Sequence, residues 1–307
     1  MNFTLHQLQV FCAIAKEKSI TKASEILSIT QPAVSIQLKN FQQQFDIPLT
    51  EVIGRQIFIT DFGNEIAEAA ESILAEVKAI DYKTMAYKGH VSGKLKVSVV
   101  STGKYVMPYL LHDFMNLHAA VDLEMDVTNR GSVITSIEKN EVDFSLVSIL
   151  PDNLPVNHLE LMSNRLYLVG NSEKNFKAKQ YGNEVFKNLS LIFRETGSGT
   201  RMAMEDYLTK NNVEYKQSMT LTSNEAVKQA VMAGLGYSIM PIIGIRNELE
   251  MQQLQIIPTK GFPITSTWYL VWHKNKNLSP VAQTYLDYVS SNKKSLISDH
   301  FSWINSI

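Results

Sequence analysis

The sequence predicts an N-terminal winged helix-turn-helix, a long linker helix and then a larger α/β region. Three observations predict it: two short helical patterns split by a tight polar turn at residues 28–30, an unbroken helical periodicity from Asp61 to about Tyr87, and regular strand–helix alternation from Leu95 onward. In chain order, Leu5 to Lys16 spaces Leu5, Leu8, Phe11 or Cys12, and Ala15 along one buried face. A short helix begins near Ser19–Ile20, carries Ala23 and Ile26–Leu27 inward, and stops before Ser28–Ile29. Thr30 is an acceptable cap for the next helix. Pro32 falls in its first turn, where a missing N–H costs nothing. Val34, Leu38 and Phe41 form its apolar stripe, while Gln31, Ser35 and Gln37, with Lys39 at the edge, point elsewhere.

Two helices joined so tightly, the second with a small polar leading edge, make a helix-turn-helix, and the second helix would enter a major groove. Gln and Ser there can read base edges and phosphates. The same pattern also fits a helical corner whose polar face merely meets water. Charge does not choose between them: residues 1–60 carry Lys16, Lys18, Lys22, Lys39 and Arg55 against Glu17, Glu25, Asp46 and Glu51, hardly a basic patch. After a turn at Asp46-Ile47-Pro48, residues Val52 to Thr60 read as a two-stranded wing. Gly54 is its tip, Ile57 and Ile59 alternate inward, and Arg55 is the natural phosphate or minor-groove contact.

Asp61 can cap the long helix, in which Phe62, Ile66, Ala69, Ile73, Val77 and Ile80 recur at spacings of three and four. Ile66, Ile73 and Ile80 fall seven apart, so the helix is either one buried face of a globular unit or a two-helix coiled coil between subunits, and its length favours the latter. Lys88 to Lys94, with Gly89 and Gly93, is a hinge. Strands are then expected at Leu95–Val99, Val121–Val127, Phe144–Ile149, Leu166–Gly170, Leu191–Phe193, Met219–Leu221, Tyr237–Met240 and Trp268–His273. Helices fall between them, one lined by Met107, Leu110, Leu111 and Phe114, others at Ser132–Asn140, Gly199–Lys210 and Glu225–Ala233, with Pro280–Val289 closing the domain. That alternation implies largely parallel sheets. The tail, Asn292 to Ile307, has mixed polarity and fits packing on its own domain or on a neighbour.

Composition narrows the function. The chain of 307 residues is long enough for two or three domains with real cores, and its formal charge of −1 makes any nucleic-acid contact local. The single cysteine, Cys12, excludes a disulfide scaffold or cysteine metal cluster within one chain and reads as a small buried hydrophobe rather than a redox sensor. No signal peptide opens the chain, and the apolar run Met232 to Ile245 is broken by Gly234, Gly236, Pro241 and Gly244, so a cytoplasmic protein without a membrane span is expected. His6, His90, His112, His118, His158, His273 and His300 are scattered, and none sits in a nucleophile or zinc-ligand spacing. No metal is implied, and enzyme is the weaker competing class.

Two segments could hold an anion. Ser101-Thr102-Gly103 ends a strand and opens a helix, so hydroxyls and free N–H groups converge there. Glu195-Thr196-Gly197-Ser198-Gly199-Thr200-Arg201 does the same, with Arg201 adding a charged fork. Gly-Ser-Gly also fits a flexible turn, and it is not a Walker loop because no lysine follows the last glycine.

The run Leu8, Phe11, Ala15, Ser19, Thr21, Ala23, Leu27, Thr30-Gln31-Pro32-Ala33-Val34-Ser35, Leu38, Gly54-Arg55, Thr60 and Gly63 resembles the winged helix-turn-helix of the LysR-type transcriptional regulators. Thr50, Val52 and Gln56 depart from that pattern, which implies a wing with weaker backbone contacts. The resemblance implies DNA contacts from Thr30, Gln31, Pro32, Ser35, Ile36, Lys39, Arg55 and Gln56, and a linker helix over 61–88 that dimerises through Ile66, Ile73, Val77 and Ile80. It also implies an effector domain over 89–292 with the two-lobed fold of periplasmic solute-binding proteins, followed by a tail at 293–307. Lobe one would be 92–164 plus 268–292, and lobe two 165–267.

Within the family, Val99-Val100-Ser101-Thr102-Gly103-Lys104-Tyr105, Asn129-Arg130, Arg194-Glu195, Gly197-Ser198-Gly199-Thr200-Arg201 and Ser223-Asn224-Glu225 resemble the CbbR-type activators of RuBisCO operons most closely, although Thr196 replaces a usual proline. That subgroup implies an interlobe effector site made of Ser101, Thr102, Gly103, Asn129, Ser148, Gly197, Ser198, Thr200, Arg201 and Asn224. The effector would be a small phosphorylated or carboxylated metabolite, or NADPH. The expected assembly is a homodimer pairing into a homotetramer on double-stranded operator DNA, bending it and contacting RNA polymerase. A solute-binding or ligand-storage protein would explain the second part of the chain but not the first.

Overall fold

Thr4 and Gln7 start the first helix by satisfying each other's backbone: the Gln7 N–H donates to Thr4 Oγ1 at 3.2 Å and the Thr4 N–H to Gln7 Oε1 at 2.9 Å. The computed structural model describes residues 2–54, 56–87, 91–174, 176 and 178–306, and the chain divides into two units, Met1–His90 and Val91–Ile307. In the first unit, α1 (Leu5–Glu17) ends at Lys18 in the left-handed region, α2 (Ile20–Leu27) is capped by Ser19, and α3 (Gln31–Gln42) by Thr30. The strands β1 (Thr50–Ile53) and β2 (Gln56–Ile59) pair antiparallel as the wing, with Gly54 turning at φ +66°. The linker helix is α4 (Asp61–Tyr87). Its cap is Thr60 rather than Asp61, since the Gly63 N–H donates to Thr60 Oγ1 at 2.9 Å. Gly63 has no room for a side chain: a Cβ there would lie 2.1 Å from the Leu49 carbonyl oxygen.

Helix α1 is central to this unit and buries two sides. Leu8 and Phe11 meet Phe41, Leu49, Ala67 and Ala70, while Val10 and Ile14 meet Ala23, Val34 and Ile57. The single stripe expected for α1 is therefore too narrow, and Leu5 lies outside it, exposed. Ile26 is also exposed, at 61%, because Ala23 and the half-buried Leu27 already fill the contact of α2.

The second unit contains β3 (Gly93–Val100), α5 (Met107–Leu117), β4 (Val121–Thr128), α6 (Arg130–Glu138), β5 (Phe144–Val147) and the long β6 (Val156–Asn171). It continues with β7 (Ser190–Arg194), α7 (Gly199–Lys210), β8 (Lys216–Leu221), α8 (Asn224–Met232), β9 (Ser238–Pro241), α9 (Arg246–Glu250), β10 (Leu254–Ile256), β11 (Ile264–His273) and α10 (Pro280–Phe301). The main sheet runs β10-β6-β11-β5-β3-β4, with β9 also on β6, and β7 pairs with β8 separately. Among the strand pairs of the described residues, β3–β4, β3–β5 and β7–β8 are parallel, and the pairs made by β6 and β11 are antiparallel. The expectation of largely parallel sheets thus fails at the strands that cross between the lobes. Periodicity reports which face of a strand is buried but not its direction.

Trp268, Tyr285, Phe114 and Phe144 sit in the larger core, and Phe186, Leu191, Phe193 and Tyr207 in that of the second lobe. Helix α10 continues well past Val289, and Leu296, Phe301 and Ile304 are buried in the larger core. The tail therefore packs on its own unit. Arg165 on β6 holds it, donating from Nη1 to the Ile304 carbonyl and from Nη2 to Asn305 Oδ1, each at 3.0 Å. Lys88, Gly89 and His90 of the expected hinge lie outside the described residues. No helix among the described residues is long and apolar enough to cross a membrane.

Candidate nucleic-acid interface and effector cleft

The apolar stripe of α3 faces inward at Val34 and Phe41, so the opposite face is free. Gln31, Pro32, Ser35, Ile36 and Lys39 are all exposed on it. Thr30 is committed to capping, its Oγ1 accepting the Ala33 N–H at 3.4 Å. Gln31 is not loose: its Nε2 donates to Thr21 Oγ1 on α2 at 2.9 Å. Gln56 is exposed at the start of the second wing strand, and Arg55 lies outside the described residues. Along α4, Ile66 packs with Phe62 and Leu74 against the core of its own unit, Val77 is half-buried, and Ile73 and Ile80 are exposed at 41% and 61%. Ile66 is thus largely used within its own unit, and the apolar positions left exposed, Ile73 and Ile80, lie further along the helix.

In the second unit, Ser101, Thr102, Asn129, Ser148, Ser198 and Thr200 line one narrow cleft. They come from the ends of β3, β4 and β5 and from the start of α7. Asn129 caps α6, accepting the Ser132 N–H at 2.9 Å. Ser198 caps α7 through its backbone only, with no side-chain hydrogen bond, and the first amides of that helix have no partner within it. Ser101 ties the two lobes: its Oγ accepts from Arg194 Nη1 at 3.2 Å and from Asn224 Nδ2 at 3.1 Å.

The remaining expected site residues sit elsewhere. Gly103 is buried, its Cα facing Val99 and Leu146 too closely for a side chain to be added freely. Gly197 is an exposed turn residue at φ +87°. Arg201 is not the fork at the cavity. Its Nε donates to Glu205 at 2.6 Å, its Nη1 donates to the Arg194 carbonyl at 3.0 Å, and its guanidinium lies 5.5 Å from the Phe193 ring centre.

The cationic lining comes instead from Arg130 and Arg194, beside Glu195. Arg130 donates from Nη2 to the Leu150 carbonyl at 3.4 Å, and its buried Nε has no protein partner among the described residues. The signal for both arginines is their place at strand-to-helix switches, where an α/β fold gathers its ligand-facing residues: Arg194 ends β7, and Arg130 opens α6 two residues after β4. Among the described residues no cluster of His, Cys, Asp and Glu could hold a metal ion.

Comparison with known proteins identifies both parts of the chain. A model of the bacterial regulatory helix-turn-helix protein, lysR family, matches residues 5–64, and a model of the LysR substrate binding domain matches residues 88–293. This chain belongs to the LysR family of transcriptional regulators.

The LysR-type regulator is 36% identical over 289 residues to the HTH-type transcriptional activator CmpR of Synechocystis, covering 94% of this chain and 95% of that one. It is 34% identical over 297 residues to a RuBisCO operon transcriptional regulator of Allochromatium vinosum, covering 95% and 97%. Its second unit matches the regulatory domain of Synechocystis CcmR, solved in complex with 2-PG, with a TM-score of 0.63 and 30% identity over 66% of this chain and 98% of that one. The helix-turn-helix is therefore the DNA-binding part of this regulator, and the two-lobed unit is its effector-binding part. It is a regulator and not an enzyme.

Proposed function

We propose that this LysR-type regulator reads its operator with Gln31, Pro32, Ser35 and Ile36 in the major groove while Lys39, Arg55 and Gln56 contact backbone. The exposed leading face of α3 supports this reading. A homodimer formed along α4, assembling further into a tetramer, would set two reading heads on paired half-sites in the cytoplasm and present them to RNA polymerase.

The effector is a small acid with phosphate or carboxylate groups, of the kind represented by the 2-PG bound to CcmR. The single observation that carries this is the cavity itself, where serine and threonine hydroxyls, Arg130 and the start of α7 converge. Arg194 pairs with Glu195 and so reduces, without removing, the repulsion that its carboxylate offers the anion. Closing the lobes on such an anion would favour one arrangement of the oligomer and so change the DNA bend.

Calorimetry on the full chain with 2-PG, phosphoenolpyruvate, citrate, a sugar phosphate and NADPH tests this reading. A compact acid should bind the native chain and fail to bind a Ser148→Ala, Thr200→Ala double variant. Equal binding to both proteins would remove the cleft from the role.

A further inference from the structure

We infer that Thr21 is a positioning residue for sequence readout: it fixes the orientation of the Gln31 amide before DNA arrives. The inference rests on the proposed reading role of Gln31. Gln31 is the first residue of α3 and Thr21 the second of α2, ten positions earlier, and Gln31 Nε2 donates to Thr21 Oγ1 at 2.9 Å. Both side chains are exposed, while Ala23 and Val34 beneath them are fully buried in one cluster that holds the two helices together. The hydroxyl therefore stands at a fixed place relative to the helix that carries the glutamine.

The chemistry follows from the amide. A bidentate contact with adenine needs the glutamine Oε1 to accept from the base N6 and its Nε2 to donate to N7. The glutamine Nε2 carries two protons. One is held by Thr21, and the other proton and Oε1 stay available on the outer edge. Unrestrained, an exposed glutamine spreads over many rotamers and two amide orientations, and binding must select one of them. An exposed hydrogen bond between side chains competes with water and adds little to folding. Its consequence is thus preorganisation rather than stability, which leaves Thr21 open to substitution.

The test uses the full-length chain and a DNA site selected by that chain from a random pool, with a scrambled duplex as control. Thr21→Val keeps the shape and removes the hydroxyl. It should lower the preference for selected over scrambled DNA by about 2- to 10-fold, with scrambled binding and melting temperature unchanged. Thr21→Ser should restore the preference. In a Gln31→Ala background, Thr21→Val should have no further effect, since the two act as one unit.

An unchanged preference in Thr21→Val, or additive losses in the double variant, would overturn the inference. A loss on both duplexes with a shallower salt dependence would overturn it too, by making Thr21 a phosphate contact. If Gln31→Ala itself leaves the preference intact, the reading role of Gln31 falls first. If that variant loses preference while Thr21→Val does not, only the positioning role falls.

Discussion

Arg194 and Glu195 are adjacent in sequence and form a two-point ion pair in space. Arg194 Nε and Nη2 each donate to a different carboxylate oxygen of Glu195 at 2.7 Å. Arg194 is only 4% exposed, and its third nitrogen reaches Ser101 in the other lobe. The pair therefore both offsets part of the charge of the one acidic group in the cavity lining and acts as a strut between lobes.

Replacing Glu195 by Gln removes the negative charge and keeps an acceptor for Arg194. The affinity for 2-PG should rise several-fold at low salt and less at high salt, while the ligand-free protein melts lower. Arg194→Met should do the opposite to binding. It also strands the Glu195 carboxylate, at a cost of about 3–5 kcal/mol in stability. Calorimetry and thermal unfolding of both variants read these effects, and an unchanged affinity in Glu195→Gln would place the anion elsewhere.

Ile73 is exposed on α4, outside the core of its own unit. Ile73→Glu should leave that unit folded and weaken association along α4 by about 3 kcal/mol or more, over a hundredfold in dimer dissociation. Light scattering should show the mass falling toward a monomer at micromolar chain. An unchanged mass would assign association to another surface.

Phe301 is buried beyond the expected end of the last helix, with its ring 5.4 Å from that of Tyr109 on α5. Phe301→Ala should cost about 3–5 kcal/mol. Urea unfolding followed by tryptophan fluorescence, which Trp268 and Trp303 report, should show the midpoint falling. A loss under about 1 kcal/mol would mean that the tail adds little to this core.

Burial, helped by the charge of Glu71, pushes the Cys12 thiol up to about 11. Its Sγ donates to the Ala67 carbonyl at 3.8 Å. The thiolate is the reactive form, so iodoacetamide at pH 7.5 should modify the folded protein on the order of a hundredfold more slowly than the urea-unfolded chain. The folded rate should climb steadily between pH 8 and about 11. Rapid modification near neutral pH would make Cys12 a candidate sensor after all.

What the sequence determined by itself is the local part. Thr30 and Pro32 start α3, Ser19 starts α2 and Gly54 turns the wing, because caps and turns are short-range bargains between a side chain and amides a few residues away. The stripe Val34, Leu38, Phe41 and the lining Met107, Leu110, Leu111, Phe114 were legible for the same reason, since helical spacing places them on one face. The hydroxyl-rich segments at strand ends were legible from their residue types and from the strand-to-helix switch, and the family pattern then supplied the two-lobed architecture.

Tertiary structure decided the rest. Whether Leu5 and Ile26 are covered depends on what packs over them, and in the folded chain they stay 45% and 61% exposed. The direction of β6 and β11 depends on partners far away in the chain. Arg194 and Arg201 are the same residue type seven positions apart, yet one joins the cavity and the other is drawn to Glu205 on its own helix. A guanidinium takes the carboxylate and carbonyl that lie within reach, and only the folded chain sets which those are.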